Sequence, residues 1–168
     1  MKVIFLDIDG VLNTHRFFEE QIENHNGIIP EGVDFQTNFD PIAMKNLQEI
    51  IQQTNAKIVV SSTWRTSRDM PYNSPYRRLW KAIIKNLSSV GIHREIIDIT
   101  PHLKGDITRG KEIKAWLKEK NNIESFVIID DDRDMDELTQ TNLAWCKGLD
   151  GINEEVRDKA IEILNMAS

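Results

Sequence analysis

The chain has 168 residues, of which 40% are hydrophobic and 29% charged, as in an ordinary soluble globular domain rather than a disordered segment. Its net charge of −6 argues against a general nucleic-acid coat protein, and no apolar run approaches the ~18 residues that a membrane span needs. The single cysteine, Cys146, cannot form an internal disulfide, so a reducing cytoplasm is the expected compartment.

Four short apolar runs have the composition of buried strands. They are rich in valine and isoleucine, and they mostly lack the alternation of polar and apolar residues that marks a strand with one face in water. They are residues 3–6, 58–60, 96–99 and 126–129. A further short run, residues 143–146, predicts an edge strand.

Helical patterns separate these runs. Asp40 is a capping residue and Pro41 follows at the first helical position, which predicts the start of a helix. A second apolar stripe covers residues 79–87, Arg109 opens a third helix, and the last helix begins near Asn153. Alternating strands and helices predict one Rossmann-like α/β domain over the whole chain, with a parallel sheet covered by helices on both faces.

Polar groups follow the strands at the points where functional sites form in parallel sheets, which is the carboxyl end of each strand. Parallel strands would bring all of these groups to one edge of the sheet. They are Asp7-Ile8-Asp9-Gly10 after the first strand, Ser61-Ser62-Thr63 after the second, Asp130-Asp131-Asp132 after the fourth, and Arg109 at the start of the preceding helix.

The chemistry of this set points to phosphate and a divalent cation. Clustered carboxylates repel one another, so they need a metal ion or protons to coexist. Ligands that are all oxygen suit Mg²⁺, which often bridges to phosphate. Hydroxyl and backbone N–H groups suit phosphate oxygens, and a cation balances charge that develops on a transferring group. An aspartate can also act as nucleophile and form an aspartyl-phosphate.

These residues carry a resemblance to a known family. The run from Asp7 to Leu12 resembles the first motif of the haloacid dehalogenase (HAD) superfamily, D-x-D-G-[TV]-L. Residues 58–61 resemble its second motif, Arg109 stands at the third, and residues 128–131 resemble the acidic fourth. More narrowly, three features resemble the HAD domain of Swiss Army Knife RNA repair proteins. They are Ser61-Ser62-Thr63-Trp64-Arg65, Arg109-Gly110 and Gly148-Leu149.

The resemblance implies a role for each residue. Asp7 would attack phosphorus, and Asp9 would be the general acid for the leaving group and then the general base for the hydrolytic water. Mg²⁺ would be held by the Asp7 carboxylate, the Asp9 backbone carbonyl and Asp131, with Asp130 as a second ligand or a group just outside the ligand set. Phosphoryl oxygens would be bound by Ser61 and the backbone after it, with Arg109 balancing their charge.

Two of these assignments leave alternatives open. Ser62 or Thr63 could bind the phosphate in place of Ser61, and we keep Ser62 among the predicted phosphate-binding residues. The third motif more often has lysine, and Lys104 and Lys111 lie close to Arg109 in the chain.

The function predicted from this pattern is a Mg²⁺-dependent phosphatase that hydrolyses phosphate monoesters. The alternatives are a small-molecule phosphatase or phosphotransferase on the same fold, and a phospho-receiver-like module without catalysis. A receiver would carry its acceptor aspartate in the middle of the chain, whereas Asp7 is near the start, and it would not need the acid Asp9.

Two segments bear on the substrate. Residues 13–39, which we call the flap segment, are longer than a tight loop and too short for a cap domain, so the enzyme is expected to be essentially capless with a mobile flap. Residues 64–85 contain six basic side chains, one acid and four aromatic rings, a mixture that suits a phosphate backbone and stacked bases.

The expected partner is a phosphorylated substrate, with an oligonucleotide or nucleotide as candidates. Neither a membrane nor an obligate protein partner is predicted. Candidate substrate contacts are Trp64, Arg65 and His15.

Overall fold

The computed structural model describes residues 1–166. Five parallel strands form a single sheet in the order β3-β2-β1-β4-β5. Their bounds are Lys2–Leu6 (β1), Lys57–Val60 (β2), Ile96–Ile99 (β3), Ser125–Asp130 (β4) and Leu143–Trp145 (β5). All four predicted strands and the predicted edge strand are therefore confirmed, and the sheet is entirely parallel.

Six α-helices connect and follow the strands. They are His15–Glu23 (α1), Pro41–Thr54 (α2), Arg78–Ser89 (α3), Arg109–Lys118 (α4), Leu138–Thr141 (α5) and Glu154–Asn165 (α6). The side chain of Asp40 accepts a hydrogen bond from the Ile42 backbone N–H and caps α2, and the side chain of Asn153 caps α6 in the same way. The predicted capping residues therefore start these helices.

Helices cover both faces of the sheet, as predicted. On one face, apolar side chains of α2, α3 and α6 pack against the strands, including Ile4 and Leu6 of β1. On the other face, Ile113 and Trp116 of α4 pack against residues such as Val3 and Phe5 of β1. Successive residues of β1 thus point into different cores, which explains why its sequence is apolar without alternation.

The flap segment is ordered around one helix and one short turn. It contains α1 and a single 3₁₀ turn at Phe35–Thr37. Thr14 Oγ1 donates to Asp40 Oδ2 over 2.6 Å, and Arg16 also pairs with Asp40, so the segment is tied to the capping residue of α2. The described chain carries no separate domain here or at residues 100–108, between β3 and α4, where a cap could also be inserted. Motion of the flap segment stays a prediction.

The helices of residues 1–166 include none that is both long enough and apolar enough to cross a membrane. The four groups of polar residues that follow the strands all belong to the carboxyl edge of the sheet, where the site is built.

Candidate active site

The centre of the site is the side chain of Asp7, directly after β1. It is buried, with 5% of its surface exposed, and its backbone N–H donates to Ile129 of β4. Arg109 Nη1 lies 2.9 Å from Asp7 Oδ1 and 3.1 Å from Asp130 Oδ2, and it also donates to the Ser61 carbonyl over 3.0 Å. Arg109 is the first residue of α4, and its guanidinium therefore contacts residues at the ends of three strands, β1, β4 and β2.

The charge of Arg109 is stabilised by its surroundings. Burial alone would lower the pKa of the guanidinium, but the carboxylates of Asp130 and Asp7 outweigh this effect and raise its pKa above the ordinary value. Arg109 is therefore a permanent cation at the point where negative phosphoryl oxygens would approach.

Asp130, the last residue of β4, is fully buried. Its Oδ1 accepts a hydrogen bond from the Asp132 backbone N–H. Its Oδ2 lies 3.1 Å from Arg109 Nη1 in an ion pair, but it accepts no hydrogen bond from the described residues. Burial, reinforced by the charge of Asp7, raises the pKa of Asp130 well above its ordinary value. A divalent metal ion near this oxygen, in addition to Arg109, would offset both the burial of the carboxylate and the repulsion from Asp7.

Three carboxylates converge at this edge of the sheet. Asp7, Asp130 and Asp131 each offer an oxygen, and these oxygens lie within 4.8 Å of one another. The donor set is all oxygen, and the buried carboxylate of Asp130 has one oxygen that accepts no hydrogen bond from the described residues, so the residues fit Mg²⁺. The Asp9 backbone carbonyl as a further ligand stays a prediction.

The glycine of the first motif makes room for this cluster. Gly10 has a φ of +67°, and a Cβ atom there would lie 2.3 Å from Asp131 Oδ2. A Cβ atom at Gly148 would approach the same oxygen to 3.2 Å. Both glycines therefore allow the Asp131 carboxylate to reach the cluster, and Gly10 also adopts a backbone conformation that favours glycine.

The hydroxyl groups after β2 differ in how they are engaged. Ser61 Oγ is buried and has no hydrogen-bond partner among the described residues, which suits a ligand oxygen. Ser62 Oγ accepts from the Trp64 backbone N–H over 3.3 Å and caps the 3₁₀ turn Thr63–Ser67. The Thr63 side chain is exposed. Of the two buried hydroxyls in this run, Ser61 is therefore the one without a hydrogen-bond partner among the described residues. Phosphate binding by Ser62 stays a prediction.

Asp9 lies at the edge of the site with an exposed side chain. The indole Nε1–H of Trp64 donates to Asp9 Oδ2 over 2.9 Å, and Asn13 Nδ2 donates to Asp9 Oδ1 over 2.8 Å. This corrects the expectation for Trp64. Its ring is 95% buried and its polar atom is occupied by Asp9, so it supports a site residue rather than lying open to substrate.

The expectation for Arg65 is corrected in the same way. Its side chain is 3% exposed, and Nη2 pairs with Glu112 over 2.7 Å. The remaining donors bind backbone carbonyls after β2 and β3, those of Ser61, Ser62, Thr100 and Pro101. Burial lowers the pKa of the guanidinium and Glu112 opposes that shift. Arg65 therefore fixes the backbone after β2 and β3 and is not available to substrate.

The family model described as the HAD domain in Swiss Army Knife RNA repair proteins matches residues 3–156. The chain belongs to this family. No curated protein and no solved structure matches the chain significantly. Membership of the family supports a hydrolase or phosphatase of the HAD type, and the all-parallel sheet has the Rossmann-like architecture that such a domain requires.

The HAD domain contains three candidates for the cation of the third motif, and the geometry separates them. Lys104 and Lys111 are exposed. Within residues 1–166, the ion pairs of Asp7 and Asp130 are made by Arg109. Arg109 is therefore the cation that the fold brings to the site.

A cavity of about 520 Å³ adjoins Asp9. The flap segment forms much of its wall, and His15, Phe18 and Gln36 contribute to the lining. The predicted substrate contact His15 is therefore placed beside the site of this HAD domain, next to Gly148. Binding of substrate by His15 stays a prediction.

Sequence reasoning missed two residues that shape the site. The sequence places Asn13 at the start of the flap segment and predicts no role for Glu112. The spacing of Asn13, four residues after Asp9, is the only signal that could have suggested the contact, and it is weak because such spacing is common. Glu112 has no signal at all, because its partner Arg65 lies 47 residues earlier in the chain.

Proposed function

We propose that this HAD domain is a Mg²⁺-dependent phosphatase that hydrolyses phosphate monoesters through an aspartyl-phosphate on Asp7. The observation that carries the proposal is the convergence on Asp7 of one half-buried cation, Arg109, and two further carboxylates, Asp130 and Asp131. A nucleophile, a phosphate-binding cation and a metal-ligand set thus meet at one point.

Asp7, Asp130 and Asp131 would hold Mg²⁺, which when bound supplies positive charge next to the phosphoryl oxygens. A phosphate that enters is held by Arg109 and by the unpartnered hydroxyl of Ser61. The phosphate then takes the place that the carboxylates of Asp7 and Asp130 occupy beside Arg109, so the cation exchanges one set of anionic partners for another.

The reaction proceeds in two steps on the residues of the chain. An oxygen of Asp7 forms a bond to phosphorus while the ester P–O bond breaks, and Asp9 gives its proton to the departing oxygen. A water molecule then attacks the aspartyl-phosphate, and Asp9 takes a proton from that water. The P–O bond to Asp7 breaks, phosphate leaves, and Asp7 and Asp9 return to their starting states.

For the substrate we propose a phosphorylated end of a nucleic acid or a nucleotide. With Trp64 and Arg65 removed from the candidate contacts, the support comes from the surface formed by Tyr72, Tyr76, Arg77 and Lys81, which we call the basic-aromatic patch. Tyr72 and Tyr76 are 77% and 72% exposed. Lys81 Nζ lies 4.2 Å from the centre of the Tyr72 ring, and Arg77 also stacks near it. Exposed aromatic rings can stack on bases, and the cations beside them can bind backbone phosphates.

A second candidate is a phosphatase or phosphotransferase for a small molecule. The cavity beside Asp9 favours it, because a volume of about 520 Å³ accepts a compact leaving group. The flap segment that lines this cavity contains five acids and one arginine, which would repel a long polyanion.

Turnover of an aryl phosphate in the presence of Mg²⁺ tests the proposed chemistry. Asp7→Asn should fold normally and lose hydrolysis, because an amide cannot attack phosphorus. Asp9→Asn should lose most turnover yet accumulate phosphate on the protein, since the second step needs its base. Substantial activity in Asp7→Asn would show that the covalent mechanism is wrong. A screen that includes oligonucleotides with 5′ or 3′ phosphates separates the two substrate classes.

A further inference from the structure

Both oxygens of the Asp9 carboxylate accept hydrogen bonds from groups that can only donate, the indole N–H of Trp64 and the amide NH₂ of Asn13. We infer that Trp64 and Asn13 are positioning residues that confine the acidic proton of Asp9 to the part of the carboxylate that faces the substrate. The inference rests on the proposed function, in which Asp9 protonates the leaving group.

Trp64 is a rigid donor. Its side chain is 5% exposed and its ring lies 6.0 Å from the ring of Phe39, so packing fixes the indole. Its backbone N–H is bound by the cap Ser62. The distance of 2.9 Å from Nε1 to Asp9 Oδ2 therefore belongs to a side chain with little freedom to move away.

Asn13 is a second donor whose orientation is fixed by its own neighbours. Its Oδ1 accepts from the Gly10 backbone N–H over 3.1 Å, and only the oxygen of the amide can do so. Its Nδ2 must then face Asp9, where it donates to Oδ1 over 2.8 Å, and it also reaches the Gln36 carbonyl over 3.2 Å. The flap segment thereby helps to orient Asp9.

The chemical consequence follows from what these groups lack. An indole N–H and an amide NH₂ have no lone pair that could accept a hydrogen bond. When Asp9 is protonated, its proton cannot point towards Trp64 or Asn13. Each carboxylate oxygen keeps one further lone pair, and the proton must occupy one of these, where the leaving oxygen can receive it. Two fixed donors thus reduce the orientations of the acid to those that are productive.

A comparison of two substrates with different leaving groups tests whether Trp64 and Asn13 position the acidic proton of Asp9. Phenyl phosphate needs protonation of its leaving oxygen, whereas p-nitrophenyl phosphate has a good leaving group and needs little help. Trp64→Phe keeps an aromatic ring and removes the N–H donor. We expect kcat/KM for phenyl phosphate to fall by about tenfold more than kcat/KM for p-nitrophenyl phosphate, a small part of the effect of general acid catalysis. A loss of folded protein would lower both values by the same factor.

Trp116→Phe is the matched control. Trp116 is 4% exposed and its indole N–H donates to Asp98 Oδ2 over 2.8 Å, but it belongs to α4 and packs against the other face of the sheet. This variant should change kcat/KM for the two substrates by equal factors. Asn13→Ala removes the second donor and should reproduce the leaving-group dependence of Trp64→Phe, which keeps the test open if the tryptophan variant does not fold.

Equal losses for both substrates in Trp64→Phe or, where that variant does not fold, in Asn13→Ala, with activity that still requires Asp7, would overturn the positioning role and leave the proposed function intact. Failure of the unaltered protein to hydrolyse either substrate in an Asp7-dependent way would overturn both.

Discussion

Arg109 Nη1 lies 2.9 Å from Asp7 Oδ1, so the cation proposed to bind phosphate already contacts the proposed nucleophile. The same nitrogen bonds the carbonyl of Ser61, which places it at the ends of β1 and β2 together. Among the described residues, the nearby Lys104 and Lys111 are exposed and make no ion pair with Asp7 or Asp130.

Replacement of Arg109 is therefore expected to be costly in activity. Arg109→Ala should lower kcat for an aryl phosphate by about 10²–10³, the cost of removing one preorganised donor from a developing anion. Lys104→Ala and Lys111→Ala are the controls and should stay within about twofold, because exposed charges without a contact to the site contribute little. Steady-state kinetics on the three variants decides this, and a larger loss in either lysine variant would reassign the third-motif cation.

Activity should depend on a metal ion held by the carboxylates of Asp7, Asp130 and Asp131. EDTA should abolish activity, Mg²⁺ should restore it, and Ca²⁺ should substitute poorly because it prefers more ligands at longer distances. Asp131→Ala should raise the Mg²⁺ concentration needed for half-maximal activity more than Asp132→Ala. The contact of Asp132 with Asp130 is a hydrogen bond from its backbone N–H, and an alanine at this position would keep that bond. The reverse ranking in a Mg²⁺ titration would move the ligand assignment by one residue.

The fold and the centre of the site could be predicted because both depend on short stretches of sequence. Continuous apolar runs specify strands buried on two faces, and parallel strands must end at one edge, so Asp7, Ser61 and Asp130 are brought together by topology alone. No long-range contact has to be known to reach that conclusion.

The roles of Trp64 and Arg65 could not be predicted because they depend on partners far away in the chain. An aromatic and a basic residue next to a phosphate-binding serine are typical of ligand contacts when they are exposed. Here Asp9, 55 residues before Trp64, and Glu112, 47 residues after Arg65, bind these side chains inside the protein. Sequence spacing carries no information about such pairs.

The buried position of Arg65 predicts a large effect on stability. Arg65→Ala should lower the free energy of unfolding by about 3–5 kcal/mol, because it leaves Glu112 buried without its partner and frees several backbone carbonyls. Arg68→Ala is the control: Arg68 is partly exposed and pairs with Asp69 at the surface, so its loss should cost about 0–1 kcal/mol. Urea unfolding followed by circular dichroism measures both, and similar losses for the two variants would contradict the central role of Arg65.

The basic-aromatic patch predicts a preference for long substrates. If it binds the chain of a nucleic acid, an oligonucleotide with a terminal phosphate should be dephosphorylated far more efficiently than a mononucleotide or a phosphorylated sugar. The preference should weaken as salt rises, because binding to a phosphate backbone releases counterions.

Charge reversal tests whether the basic-aromatic patch causes the preference for oligonucleotides. Arg77→Glu together with Lys81→Glu should damage the oligonucleotide reaction, leave p-nitrophenyl phosphate nearly untouched, and reduce the slope of log affinity against log salt by about 0.7 for each lost phosphate contact. Lys45→Glu together with Lys159→Glu makes the same change in net charge on α2 and α6, away from the patch, and should affect neither substrate. Equal efficiency on mononucleotides and oligonucleotides, insensitive to salt, would instead favour a small-molecule phosphatase whose leaving group enters the cavity beside Asp9.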